Sequence, residues 1–172
     1  WIEDLFQIVE RSASTPVFAV LKRPESDPLV MHTHTNTEYW NRHASLGHTD
    51  PRTGEDVDFP ETVRAYFLAS AQHAGATSPA DDVAQQRHNV MTNGPIMRAA
   101  LTLMDRWFKD GISPPASIVP LRKDGTLVSP EHALDAFPDV PGFETPEAPS
   151  RLPLYDYGPG FGDGLVTQHP PL

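Results

Sequence analysis

Apolar residues recur at intervals of three and four across residues 2–11, where Ile2, Leu5, Phe6 and Val9 face away from Glu3, Asp4, Gln7 and Glu10. That spacing predicts an amphipathic helix, and Pro16 closes it off. Residues 17–21 are a short β-branched and aromatic run, as in a strand, and Pro24 and Asp27-Pro28 predict a polar turn after it. In residues 29–35, Leu29, Met31, Thr33 and Thr35 alternate with Val30, His32 and His34, the period of a second strand. This strand runs into Asn36, Thr37 and Glu38. Residues 39–60 hold no sustained period and contain Gly47, Asp50-Pro51 and Gly54, so a long loop with room for one short helical turn is expected.

Residues 62–70, TVRAYFLAS, are nearly continuous in apolar character, as in a strand buried on both faces of a parallel sheet. Ala71, Gln72, His73, Ala74 and Gly75 follow as its exit loop. Over residues 95–109, Ile96, Ala99, Ala100, Leu103, Met104, Trp107 and Phe108 mark one face of a helix, with Pro95 suited to its first turn and Gly111 to the position just past its end. Beyond Gly111 lie 12 of the chain's 19 prolines, which excludes a long helix or a central strand and predicts a wrapping tail. Within it, residues 123–127 read as a turn into a short strand. No internal repeat is visible, and the order strand, loop, strand, helix predicts part of a parallel α/β sheet.

Composition narrows the partners. The 172 residues are 38% hydrophobic, enough for a core, and 13 Lys and Arg against 23 Asp and Glu leave a net charge of −10, the wrong sign for a phosphate backbone, so no nucleic acid is expected. No apolar run approaches the roughly 20 residues of a membrane-spanning helix. The absence of cysteine excludes disulfides and thiolate metal sites but leaves the compartment open. The chain starts at Trp1 without an initiator Met and stops at His169-Pro170-Pro171-Leu172; both ends are expected to be cut ends.

In an open parallel sheet, reactive groups gather in loops at the carboxyl ends of the strands. Glu38 follows one expected strand and His73 the other. If those strands are neighbours, the two side chains open onto the same edge. A carboxylate on one imidazole nitrogen fixes the tautomer and leaves the other nitrogen to act as a general base. No serine lies in G-x-S-x-G; the nearest approach, His43-Ala44-Ser45-Leu46-Gly47, has His in place of the first glycine and no strand leading into it. Gly158-Pro159-Gly160-Phe161-Gly162 lacks a serine and a following helix and reads as a turn. The rival chemistry is a metal site from His32, His34, His43 and His48, although no H-E-x-x-H or cysteine pair supports it.

Three ordered blocks make the sequence recognisable. Thr35-Asn36-Thr37-Glu38-Tyr39-Trp40, Ala44-Ser45-Leu46-Gly47-His48-Thr49-Asp50 and the stretch from Val63 to Gln72-His73 resemble the carboxyl-terminal half of a family of bacterial α/β-hydrolase-domain proteins. The likeness runs from about Pro16 through Asp124-Gly125-Thr126-Leu127-Val128 and Asp156-Tyr157-Gly158-Pro159 to the tail. It implies an α/β fold in which residues 1–111 are the carboxyl-terminal part of a hydrolase parallel sheet and 112–172 a proline-rich extension packed on it. It also implies that Glu38 and His73 are the acid and base of a Ser-Glu-His triad, in the family's order with the serine first. The serine would come from an amino-terminal half of the same protein or from a second chain. A small carboxylic ester is the implied substrate, with no cofactor required. Tyr39 and Trp40, adjacent to Glu38 in sequence, are expected to line its pocket, with anchoring of the loop to the core as the alternative for such aromatics. The alternative is a binding or structural domain on the same scaffold.

Overall fold

Two strands, β1 (Val30–Thr35) and β2 (Val63–Leu68), pair in parallel, with Val30 opposite Val63 and Thr35 opposite Leu68. The computed structural model in which they are seen describes residues 23, 25–50, 53–74, 89–145, 147, 158–159 and 165–169. The helix expected at 2–11 and the strand expected at 17–21 lie outside these residues. Around the pair stand helix α1 (Asn36–Asn41), a single 3-10 turn (Ala44–Gly47), helix α2 (Gly94–Asp110) and helix α3 (Pro130–Asp135).

Because side chains alternate along a strand, the register sorts the sheet into two faces. His32, His34, Ala65 and Phe67 share one face, where the Tyr39 ring from α1 meets Phe67 edge-on at 4.9 Å and His34 at 6.2 Å between centroids. The buried His48 joins this cluster by a 2.8 Å hydrogen bond between its Nε2 and the Tyr39 hydroxyl, and Phe59 lies beyond it. The other face carries Thr33, Arg64 and Tyr66 toward α2. There the Arg64 guanidinium lies 5.1 Å over the ring of Trp107, and the Thr33 hydroxyl contacts the Met97 sulfur. A helix on each side of a parallel pair is the layering of an α/β fold.

The strand boundaries agree with the sequence reading to within two residues, but the burial of β2 does not. Val63 and Ala65 are buried, whereas Arg64, Tyr66 and Phe67 are half-buried, so β2 is not sealed on both faces. On one side Phe67 borders a cleft, and on the side of Arg64 and Tyr66 the reason is the sparse contact with α2. Of its expected apolar face only Trp107 is buried, while Ile96 and Phe108 are exposed, as are Met97 and Leu101. Pro95 does stand in the first turn, and Gly111 ends α2 in the left-handed conformation at φ 68°, which costs glycine little.

Three further differences concern loops. Residues 36–41 form α1 rather than the run-out of a strand, because Thr35 caps the helix. The tail contributes to the sheet: Ile118 bridges Tyr66 in parallel, its N–H donating to Ala65 O and its carbonyl accepting from Phe67 N–H. The turn expected at 123–127 is present, closed by Gly125 N–H to Arg122 O and by the Thr126 and Leu127 N–H groups to Leu121 O, but α3 follows it instead of a strand. Ser129 accepts from His132 N–H and Pro130 opens the helix, a start signal present in the sequence. The Asp56 carboxylate accepts from the N–H groups of Arg122 and Lys123 and so ties the loop after His48 to this turn.

Truncating Trp107 to Ala should lower unfolding free energy by about 3 to 5 kcal/mol, as for other buried aromatics. Phe108→Ala, at a residue 78% exposed, should change it by no more than about 0.5 kcal/mol. Equal effects in urea titrations would show that α2 packs otherwise. A second expectation concerns pH. Burial, helped by neighbouring His32 and His48 and opposed by Glu38, depresses the His34 pKa from 6.5 to about 4. Between those values the unfolded chain binds the extra proton and the folded chain does not, so stability is full above pH 6.5 and falls as pH drops toward 4, by on the order of 3 kcal/mol at the limit. Urea midpoints measured across this range should fall, and the slope should flatten in His34→Phe.

Candidate acid–base site

At the carboxyl ends of β1 and β2, the structure brings Glu38 and His73 together. Glu38 stands in the first turn of α1, three residues after the cap, and His73 lies in the loop that leaves β2. The His73 Nδ1 and Glu38 Oε1 are 2.5 Å apart. The Glu38 side chain is 16% exposed and the His73 side chain 78%. The carboxylate is therefore tucked against the protein, while the ring edge away from it is open to solvent.

Each side chain is held locally. The second carboxylate oxygen, Oε2, accepts both the Thr35 N–H at 2.5 Å and the Thr35 hydroxyl at 2.6 Å. Burial alone would raise the Glu38 pKa, but the hydrogen bonds from the Thr35 hydroxyl and N–H, followed by His73, outweigh it and hold the carboxyl below its ordinary value. Glu38 is therefore an ionised acceptor at neutral pH. The His73 N–H donates to the Thr37 hydroxyl oxygen at 3.2 Å, so the backbone of the loop is attached to the same helical turn.

The loop itself is kept in an unusual shape. Ser70 has φ 62°, a left-handed conformation that a residue with a side chain adopts at a cost. Its N–H donates to Asn36 Oδ1 at 2.9 Å, and its carbonyl accepts from Asn89 Nδ2 at 2.5 Å. Asn36 N–H donates in turn to Ala71 O. Asn93, which precedes α2, leaves that helix without a side-chain cap and instead donates through Nδ2 to Gln72 O at 3.1 Å. Asn89 and Asn93 escape the sequence reading because a loop asparagine carries no positional signal, and Asn36, although part of a recognisable block, carries no sign of its bond to Ser70. Thr35 did carry one: Thr-x-x-Glu is the spacing of a capping box, in which the residue three places on reaches back to the cap.

The other sequence candidates lie elsewhere. Tyr39 and Trp40 line a cleft of about 560 Å³ whose walls include Phe67, Leu46, Leu127 and Val128, with neither Glu38 nor His73 among them. In a helix, positions i, i+3 and i+4 share a face and position i+2 lies across from it. The cleft thus adjoins the side of α1 carrying Asn36, Tyr39 and Trp40, opposite Glu38. Within the packing Tyr39 acts as an anchor, and burial pushes its phenol above its usual pKa. Ser45 and His43 also line the cleft; the Ser45 carbonyl accepts the Thr49 hydroxyl and the His48 N–H, and no strand enters its 3-10 turn directly. The His32 and His34 rings are 5.5 Å apart, and burial lowers the pKa of His32 and of His48. Among the described residues no group of three or more His, Asp or Glu side chains is arranged to hold a metal ion, and His43 lines the cleft.

No helix among the described residues is long and apolar enough to cross a membrane. A stretch of 39 residues is 41% identical to the GTP cyclohydrolase FolE2 of Fervidobacterium nodosum; it covers 23% of this chain, and the chain spans about 15% of that protein. No solved structure matches the chain. Residues 7–144 match the family described as Alpha/beta hydrolase domain. This match spans well over half of the chain, includes both parallel strands and the Glu38–His73 pair, and accords with the α/β layering: the chain belongs to the α/β-hydrolase domain family.

Proposed function

We propose that this chain supplies the acid and base of a Ser-Glu-His triad in a serine hydrolase of carboxylic esters, the serine coming from outside these 172 residues. The observation that carries this reading is the bond from His73 Nδ1 to an ionised, half-enclosed Glu38, with the rest of the ring left open. The carboxylate favours the tautomer with its proton on Nδ1, so Nε2 is the basic nitrogen. In that state His73 takes the proton of an incoming serine hydroxyl as the serine attacks the ester carbonyl. Glu38 stabilises the imidazolium that forms without itself being protonated. His73 then protonates the leaving alkoxide. In the second half-reaction it takes a proton from the water that hydrolyses the acyl-enzyme and returns one to the serine.

The serine is placed outside because no G-x-S-x-G occurs in the sequence and Ser45 lines the cleft across α1 from Glu38. The exposure of His73, and that of the apolar residues of α2, supports a covering partner: the amino-terminal part of the same protein or a second chain.

In the intact protein, His73→Ala should lower kcat for an activated ester by at least about a thousandfold, and Glu38→Gln should do less damage because an amide still orients the ring. His32→Asn should change kcat by about tenfold at most, since His32 lies on the sheet face and not beside the pair. A fluorophosphonate probe should label one serine. Full esterase activity in His73→Ala, with no labelled serine, would leave the chain as a binding scaffold.

A further inference from the structure

An acid that orients a histidine must present one oxygen to it in a fixed plane, and a glutamate has three rotatable bonds with which to lose that plane. In this chain the freedom is removed at the other oxygen. Oε2 is occupied by two donors from one residue, the N–H and the hydroxyl of Thr35, and only Oε1 is left for His73. A hydroxyl has a single proton. Thr35 directs its proton to Glu38 and uses a lone pair to accept the Thr37 N–H at 3.3 Å. Thr35 is itself buried, 6% exposed, at the last position of β1 opposite Leu68, so the donor is as rigid as the sheet. Thr37 completes the arrangement by accepting the His73 N–H.

From this geometry we infer that Thr35 is a positioning residue of the acid–base pair, its hydroxyl holding the Glu38 carboxylate in the plane that meets His73 Nδ1. This rests on the acid–base reading of Glu38 and His73 but makes a claim that is measurable without turnover. An ordinary capping box needs only the Thr oxygen as acceptor and the Glu oxygen on the cap N–H. The additional bond from the Thr35 hydroxyl to Oε2 serves the carboxylate rather than the helix. It also accounts for the exact place of the acid: three residues after the cap, the side chain reaches back to the strand end, where the β2 exit loop passes.

The test compares Thr35→Val, which keeps the shape and drops the hydroxyl, with Thr35→Ser, which keeps the hydroxyl, in the intact protein. Nitrogen-15 and proton NMR of the His73 ring and carbon-13 NMR of the Glu38 carboxyl read the pair directly. In Thr35→Val the hydrogen-bonded Nδ1 proton resonance should move upfield and broaden, and the carboxyl titration should move to higher pH. Thr35→Ser should retain both wild-type signals. For ester turnover, Thr35→Val should lower kcat about tenfold with KM unchanged, and Thr35→Ser should stay within about threefold of wild type. If Thr35→Val does not fold by circular dichroism, Thr35→Ala gives the same ring and carboxyl readout. Wild-type ring and carboxyl signals in a folded variant without the hydroxyl would overturn the inference, as would a loss that serine does not rescue. Retained activity in His73→Ala, with the NMR changes still seen in Thr35→Val, would sink the catalytic reading and leave Thr35 as the residue that orients the pair.

Discussion

The arrangement at the sheet edge depends on the parallel pairing of β1 and β2 and on its register. With Thr35 opposite Leu68, both strands end at the same level, and the chain leaves each at the same edge. One exit is the first turn of α1 and the other is the loop carrying His73. Four hydrogen bonds then join these exits: Asn36 N–H to Ala71 O, Ser70 N–H to Asn36 Oδ1, His73 N–H to the Thr37 hydroxyl, and the Glu38–His73 bond itself. A slip by one residue would turn the strand side chains over to opposite faces and separate the exits. The left-handed backbone at Ser70 persists because Asn36 and Asn89 hold it from two sides, so the strain of the loop is balanced by bonds formed only in the folded chain.

Burial divides the ionisable side chains near this edge into two classes. Glu38 loses solvent but gains donors from Thr35 and His73 and remains an anion. His34 and His48 lose solvent without a neighbouring carboxylate that outweighs the loss, and both are pushed toward the neutral form. Their Nδ1 atoms are buried without a hydrogen-bond partner among the described residues, and the rings pack as aromatic surfaces around Tyr39. Histidines so close in sequence to the Glu38–His73 pair therefore serve the core. The alternation places His32 and His34 on one strand face, with His34 edge-on to Tyr39 of α1, and among the described residues no group of three or more such side chains forms a coordination sphere.

Helix α1 is short, yet both of its sides matter. One faces the His73 loop through Glu38, and the other lines the cleft through Asn36, Tyr39 and Trp40. Asn36 belongs to both, since its side chain accepts from Ser70 while the residue borders the cleft. The side chains of Glu38 and its two aromatic neighbours lie on different sides of α1, because neighbouring helical positions project in different directions.

The sequence by itself determined what depends on short-range physics. Period-two alternation located β1, an apolar run located β2, and Pro95 and Gly111 bracketed α2, because these signals act within a few residues along the chain. The positions of Glu38 and His73 after two strands were legible for the same reason. The cap at Thr35 and the start at Ser129-Pro130 are also written there, but a strand exit before α1 and the proline-rich stretch around α3 carry competing local signals. Only the tertiary structure decided the register of the pair, the bond from Glu38 to His73, the roles of Asn36, Asn89 and Asn93, and the exposure of most of the apolar face of α2. These rest on contacts between residues far apart in sequence, such as Ser70 with Asn36 or Arg64 with Trp107. No local spacing encodes them, because each contact exists only once the chain has closed on itself.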